Sequence, residues 1–233
     1  IMKFNQKIKF YQASSSEMYG EIKSKIKNEE TCFHPVSPYA VAKTYGYWMV
    51  RLYRDAYNIH ASNGILFNHE SPLRGLEFVT RKISNGIAKI SLGISKELKL
   101  GNLTAKRDWG YAPEYVEGMW MMLQQKIPDD YILATNEVYS VKDFVKEACT
   151  VAGISTSKIK SDKQNMRPHD IKSLQGSFSK AEKKLGWKPK IKFKKLVKIM
   201  VEEDISRWEK WLKKEYQPWD AAIAGNDSHV ISK

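Results

Sequence analysis

Cysteine is scarce: Cys32 and Cys149 are the two in 233 residues. They lie far apart with no partner at metal-ligand spacing, which excludes a disulfide-stapled scaffold and a cysteine zinc site and makes a reducing, cytoplasmic compartment the expectation. No run of about 18 apolar residues occurs, and the first ten residues carry lysines instead of an apolar signal segment. Neither a membrane span nor secretion is therefore expected. Internal repeats and low-complexity tracts are missing too. What is present is apolar material, 42% hydrophobic and 12% aromatic, enough for a packed globular core of one large domain or one and a half. Acidic charge is the other shortage. Lys+Arg 39 against Asp+Glu 26 leaves +13, which would attract a polyanion, whether nucleic acid or a nucleotide sugar. The lysines are scattered and grow denser over Lys180–Lys198, where Glu182, Leu185, Trp187 and Leu196 interrupt them. That mixture reads as a solvated helix face, and no nucleic-acid motif accompanies it.

Along the chain, residues 7–13 alternate and then turn apolar, as a strand entering a buried sheet does, and Ser14-Ser15-Ser16-Glu17 ends it in a polar loop. The stretch 21–31 is charged and irregular. Ser37-Pro38-Tyr39 opens a helix, with Ser37 as cap and Pro38 in the first turn, where its missing N–H is no loss. That helix runs to Tyr57, and Val41, Tyr45, Trp48, Met49, Leu52 and Tyr53 at spacings of three and four predict the stripe that faces the core. A strand at 61–67 follows, making a parallel βαβ unit. Beyond Pro72 the pattern predicts helices over 78–92, 113–125, 140–152, 179–185 and 193–214 and strands at 98–100 and 131–134. Ser140 and Asp143 form a capping pair, 155–165 is a polar linker, and the tail after Pro218 is frayed. Trp109, Trp120 and Trp187 are packing residues.

Tyr39 and Lys43 are four apart on this helix, so their side chains share a face. An ammonium beside a phenol favours the phenolate, giving a base able to take a proton from a hydroxyl. The Tyr-x-x-x-Lys spacing alone is common. Its context is not, because Ser15 lies 24 residues upstream at the end of a strand, where parallel sheets bind ligands.

These residues, with Phe10–Gly20, Pro35–Lys43, Asn63–Pro72, Leu100–Gly110, Tyr115–Trp120, Tyr139–Val141 and Lys184–Pro189, resemble the extended short-chain dehydrogenase/reductase superfamily, and within it the GDP-mannose 4,6-dehydratase family. The Phe-Asn-His-Glu-Ser-Pro and Arg-Asp-Trp-Gly stretches separate this resemblance from generic sugar-nucleotide epimerases. It implies an α/β fold: the C-terminal part of a Rossmann-type doubly wound parallel sheet plus a smaller α/β substrate-binding domain. Residues 1–72 would be the second half of the dinucleotide-binding domain. Residues 73–217 would be mainly the substrate domain, with some elements returning to the sheet, and 218–233 a tail.

The resemblance further implies a reaction: conversion of GDP-mannose to GDP-4-dehydro-6-deoxymannose with catalytic NADP, the first step toward GDP-fucose-type sugars. Tyr39, helped by Lys43, would take the 4-hydroxyl proton. Glu17 would remove the C5 proton and help expel the 6-hydroxyl as water, and Ser15 would hydrogen-bond the 4-oxygen. Tyr39, Lys43, His69 and Arg74 would meet the cofactor, and Asn68, Arg107 and Arg167 the nucleotide-sugar diphosphate. The intact enzyme would be a homo-oligomer, a dimer or a tetramer. Three departures stand out. The family's opening strand and Gly-x-x-Gly-x-x-Gly turn have no counterpart, so the chain reads as a fragment with little or no turnover alone. Ser15 stands where threonine is usual, and Arg167-Pro168-His169-Asp170 has a shorter carboxylate than the family's Arg-Pro-x-Glu. Two alternatives are a sugar-nucleotide 4-epimerase, which needs no carboxylate at Glu17, and a non-catalytic basic binding module.

Overall fold

A computed structural model describes residues 7–22, 26–162 and 171–215. Strand β1, Phe10–Ser15, runs into a 3-10 turn at Ser16–Tyr19. Helix α1, Pro38–Tyr57, then crosses to β2, Ala61–Leu66, which lies parallel to β1 with Phe10 opposite Ala61 and Ser15 opposite Leu66. The expected βαβ unit is present. Ser37 caps α1 by accepting from Ala40 N at 3.1 Å, and Asn58 ends it in the left-handed region at φ 51.

The chain continues through β3 (Asn68–Glu70), α2 (Val79–Ser91), β4 (Leu98–Leu100), β5 (Lys106–Arg107), β6 (Trp109–Tyr111) and α3 (Ala112–Gln124). Next come β7 (Asp130–Leu133), β8 (Tyr139–Ser140), α4 (Val141–Ala152), β9 (Ile159–Ser161), β10 (Ser173–Leu174), α5 (Ser179–Leu185) and α6 (Phe193–Leu212). The main sheet is β1-β2-β7, all parallel, so a strand from far along the chain returns to lie beside β2. Smaller ladders pair β3 with β6, β4 with β9, and β5 with both β10 and β8.

Both faces of the main sheet are covered, which is why all of β2 is buried. On one face Ile65 and Ile132 meet Tyr47 of α1 with Met18, Tyr19 and Phe67; on the other Leu66 and Leu133 meet Tyr115 and Met122 of α3 with Leu185 and Trp187. The largest apolar cluster lies elsewhere, between α2, α4 and α6, around Ile83, Ile87, Phe144, Leu196 and Met200.

Several expectations need correcting. The stripe assigned to the core on α1 faces outward: Val41, Tyr45, Trp48, Leu52 and Tyr53 are exposed, whereas Ala40, Tyr47 and Val50 are buried. The helix carries two stripes, and the one that includes Lys43, Tyr47 and Arg54 meets the sheet because polar partners wait for it there. Trp120 is also exposed, although Trp109 and Trp187 pack inside as expected. β1 begins at Phe10, since its length is set by its pairing with β2. The 155–165 segment contains β9, held by β4. The tail after Pro218 lies outside the described residues. No helix among the described residues is long and apolar enough to cross a membrane.

Candidate active site

Ser15 is the last residue of β1, and its Oγ accepts from Glu17 N at 3.2 Å, so the hydroxyl caps the 3-10 turn that carries Glu17. The turn ends at Gly20, φ 53, where a Cβ would stand 1.8 Å from the His34 carbonyl oxygen. Only glycine fits, and the chain leaves the strand edge at a fixed angle. Met18 O meanwhile accepts from His34 N at 2.9 Å, bringing the approach to α1 back beside the turn.

Tyr39 sits in the first turn of α1 and is exposed. Lys43 Nζ lies 5.6 Å from the centroid of its ring and donates to Ala13 O at 2.8 Å. The helix is thereby pinned to β1 two residues before Ser15. Among the described residues no hydrogen bond joins Tyr39 to Ser15 or Glu17; the 3-10 turn that carries Glu17 packs against α1.

The second group follows β2. In β3, Asn68 lies opposite Trp109 of β6 and His69 opposite Gly110. The His69 ring stacks on Tyr115 with centroids 5.2 Å apart, and its Nδ1 lies 2.9 Å from Phe67 O. A carbonyl can only accept, so Nδ1 carries the hydrogen. Burial lowers the His69 pKa despite that contact, and Arg74 adds to the effect. Arg74 Nε is 3.3 Å from Glu70 Oε2, and its guanidinium lies 3.5 Å from the centre of the Phe78 ring. Glu70 also accepts from Thr80 Oγ1 at 2.5 Å, while burial raises its pKa.

Arg107 reaches Ile171 O at 2.6 Å and Lys106 O at 2.9 Å through Nη1, so part of its donor fork holds the strand edge by β10. Arg167 lies outside the described residues. Among the described residues no group of three or more His, Cys, Asp or Glu could hold a metal ion.

Sequence reasoning missed the buried polar groups that set this arrangement. Asp108 is completely buried; Oδ1 accepts from Thr135 N at 2.8 Å and Thr135 Oγ1 at 2.7 Å, and Oδ2 from Gly176 N at 3.4 Å. Burial pushes its carboxyl up to about 7, against the pull of these donors. Asn63 in the middle of β2 and Asp130 at the start of β7 are equally hidden. The signal was available: an asparagine inside a strand buried on both faces demands partners.

Residues 1–200 match the family described as GDP-mannose 4,6 dehydratase. The chain is 50% identical over 199 residues to GDP-mannose 4,6 dehydratase 1 of Arabidopsis thaliana, covering 85% of this chain and 55% of that protein. It is 48% identical over 216 residues to the Homo sapiens GDP-mannose 4,6 dehydratase, covering 85% and 58%. The chain thus spans little more than half the length of these relatives. Among solved structures, RMD from Pseudomonas aeruginosa complexed with NADPH superposes with a TM-score of 0.79 at 22% identity, covering 86% of this chain and 68% of that one. The dTDP-glucose 4,6-dehydratase from Bacillus anthracis in complex with NAD superposes at 0.78 and 21%, covering 91% and 66%. These likenesses establish a Rossmann-type α/β fold. With a profile match over most of its length and identity near one half to its relatives, the chain belongs to the GDP-mannose 4,6-dehydratase family.

Proposed function

We propose that these residues carry the acid-base end of a GDP-mannose 4,6-dehydratase, acting on GDP-mannose with a nicotinamide cofactor, NADP in preference to NAD. The observation that carries the reading is the 2.8 Å bond from Lys43 to Ala13 O, which ties the Tyr39 helix to the strand ending in Ser15, with Glu17 one turn beyond. Tyr39 takes the 4-hydroxyl proton, with the Lys43 ammonium favouring the phenolate, and Ser15 donates to the 4-oxygen. Glu17 then removes the acidified C5 proton and protonates the departing 6-hydroxyl. When bound, the nicotinamide would supply a hydride acceptor for C4 and the hydride for C6, and the proton held by Tyr39 would complete C5, leaving both as they began.

Tyr39, Lys43, His69 and Arg74 are proposed to meet the nicotinamide end of such a cofactor. Its pyrophosphate is another matter. Among the described residues the glycines at positive φ, Gly20, Gly93, Gly153 and Gly186, follow the 3-10 turn, α2, α4 and α5, so none of these opens a helix behind a strand. Asn68, Arg107 and Arg167 are proposed to meet the sugar-nucleotide diphosphate. The exposed row Val41, Tyr45, Trp48 and Leu52 supports assembly with a second copy, since contiguous apolar surface of this kind marks a contact face.

The test incubates the chain with NADP⁺ and GDP-mannose and assays the 4-keto product, alongside calorimetric binding of GDP-mannose and UDP-glucose. Selective GDP-mannose binding, with any product lost in Glu17→Gln, supports the reading. Equal affinity for both sugars, or product formation indifferent to Glu17→Gln, defeats it.

A further inference from the structure

Helix α1 turns a partly polar stripe toward the sheet. Lys43, Tyr47 and Arg54 are spaced four and seven apart, so they share one helical face. Together they reach all three strands of the main sheet. Lys43 bonds Ala13 O of β1. Tyr47 donates its hydroxyl to Asp130 Oδ2 of β7 at 3.0 Å, and its backbone carbonyl accepts from Asn63 Nδ2 of β2 at 3.3 Å. Arg54 grips both Asp130 oxygens, at 3.0 and 3.1 Å, and adds Ala61 O at 3.1 Å.

Asn63 completes the set, donating to Asp130 Oδ1 at 2.9 Å and accepting from Ser14 Oγ at 3.2 Å. A hydrogen-bonded path thus leads from Ser14, the neighbour of Ser15, through Asn63 and Asp130 to Tyr47 and Arg54 on the helix that carries Tyr39 and Lys43. Ser14, Asn63, Tyr47 and Asp130 are all buried. Apolar side chains could fill the same space but would let α1 slide or roll; a carboxylate with donors from one strand and two helical turns fixes both motions.

We propose that Asp130 is a positioning residue: by holding Asn63, Tyr47 and Arg54 at once, it sets the height and rotation of α1 over β1 and so keeps Lys43 on Ala13 and Tyr39 beside the Ser15 turn. Burial alone would raise the Asp130 carboxyl, but Arg54 and Asn63 outweigh it and hold the pKa below the ordinary value, so the anchor stays charged. The catalytic meaning of this placement rests on the roles proposed for Tyr39 and Lys43, while its geometry does not.

The test therefore needs no substrate. The acylation rate of Lys43 by a small amine-reactive ester is followed by mass spectrometry in the folded chain and in Asp130→Asn, Arg54→Gln and Tyr47→Phe. Asp204→Asn, which weakens a buried ion pair between α2 and α6, serves as a destabilised control, with all rates compared at equal distance below each melting temperature. Lys43 should react several-fold faster in Asp130→Asn and Arg54→Gln, no faster again when the two are combined, and at the original rate in Asp204→Asn. If Asp130→Asn does not fold, Tyr47→Phe, which removes one hydroxyl and keeps the ring, supplies the same comparison. A folded Asp130 or Tyr47 variant with lowered melting temperature and unchanged Lys43 reactivity would overturn the proposal, leaving Asp130 a stabilising brace only. So would equal acceleration in Asp204→Asn. Failure of the dehydratase reading would show in the GDP-mannose assays and leave these rates unaffected.

Discussion

Helices α1 and α4 look alike as sequence patterns and are used in opposite ways. In α4 the periodic apolar positions Val141, Phe144, Val145, Ala148 and Cys149 are buried against α6, whose Leu196, Val197, Met200 and Val201 complete the cluster. In α1 the periodic apolar positions point away from the sheet, and the stripe that meets it includes Lys43, Tyr47 and Arg54. A hydrophobic stripe shows that a face will be covered, without showing by what. For α4 the cover is the chain's own core. For α1 the inward face is selected by buried polar groups that an apolar stripe could not satisfy, and the outward one is left as contact surface.

The widest break in this comparison should come from the helical region. Phe144→Ala should cost about 3 to 5 kcal/mol by opening a cavity beside Trp109 and Phe193. Asp204→Ala should cost a similar amount, about 3 to 5 kcal/mol, because the buried Arg81 would lose the carboxylate whose two oxygens it bonds. Urea unfolding measures both, and losses under about 1 kcal/mol would mean this cluster is not the main stabilising unit.

Next in size is a pH effect that separates two buried carboxylates. Asp108 moves from 3.8 to about 7 on folding, so the folded state binds the extra proton. Its contribution is fully present below the unfolded value and is lost as pH rises toward 7, on the order of 2 to 4 kcal/mol. The protonated carboxyl can donate to Thr135 Oγ1, whose own hydrogen has Glu137 O at 3.3 Å. Asp130 is shifted the other way, so its contribution is present above the unfolded value and disappears as pH falls through its depressed folded value. Melting temperatures between pH 4 and 7 should decline less in Asp108→Asn than in the parent; parallel curves would refute the assignment.

Smaller still, Tyr47→Phe should cost about 1 to 2 kcal/mol, since Asp130 loses one donor and keeps Arg54 and Asn63. The smallest effect belongs to the outer face of α1. Trp48→Ala should change unfolding of the single chain by no more than about 0.5 kcal/mol while lowering any self-association seen by sedimentation. A large loss of stability in the single chain would erase the contrast between the two helices.

Much of the local structure was legible in the residues. Ser37-Pro38 marked the start of α1, and Ser140 and Asp143 formed the capping box of α4 at 3.1 and 2.8 Å. These are contacts within a few residues, where spacing alone decides who meets whom. The motif residues were legible as well, because Ser15 and Glu17 share a turn and Tyr39 and Lys43 share a helix. The partners of Asn63, Asp108 and Arg54 were not. Their contacts join positions far apart in the chain, and only the return of β7 to the side of β2 brings Asp130 beneath α1. Local chemistry was thus written in the sequence, while which face of α1 turned inward and which carboxylates became buried were decided by packing, because desolvation and long-range pairing exist only once the strands are side by side.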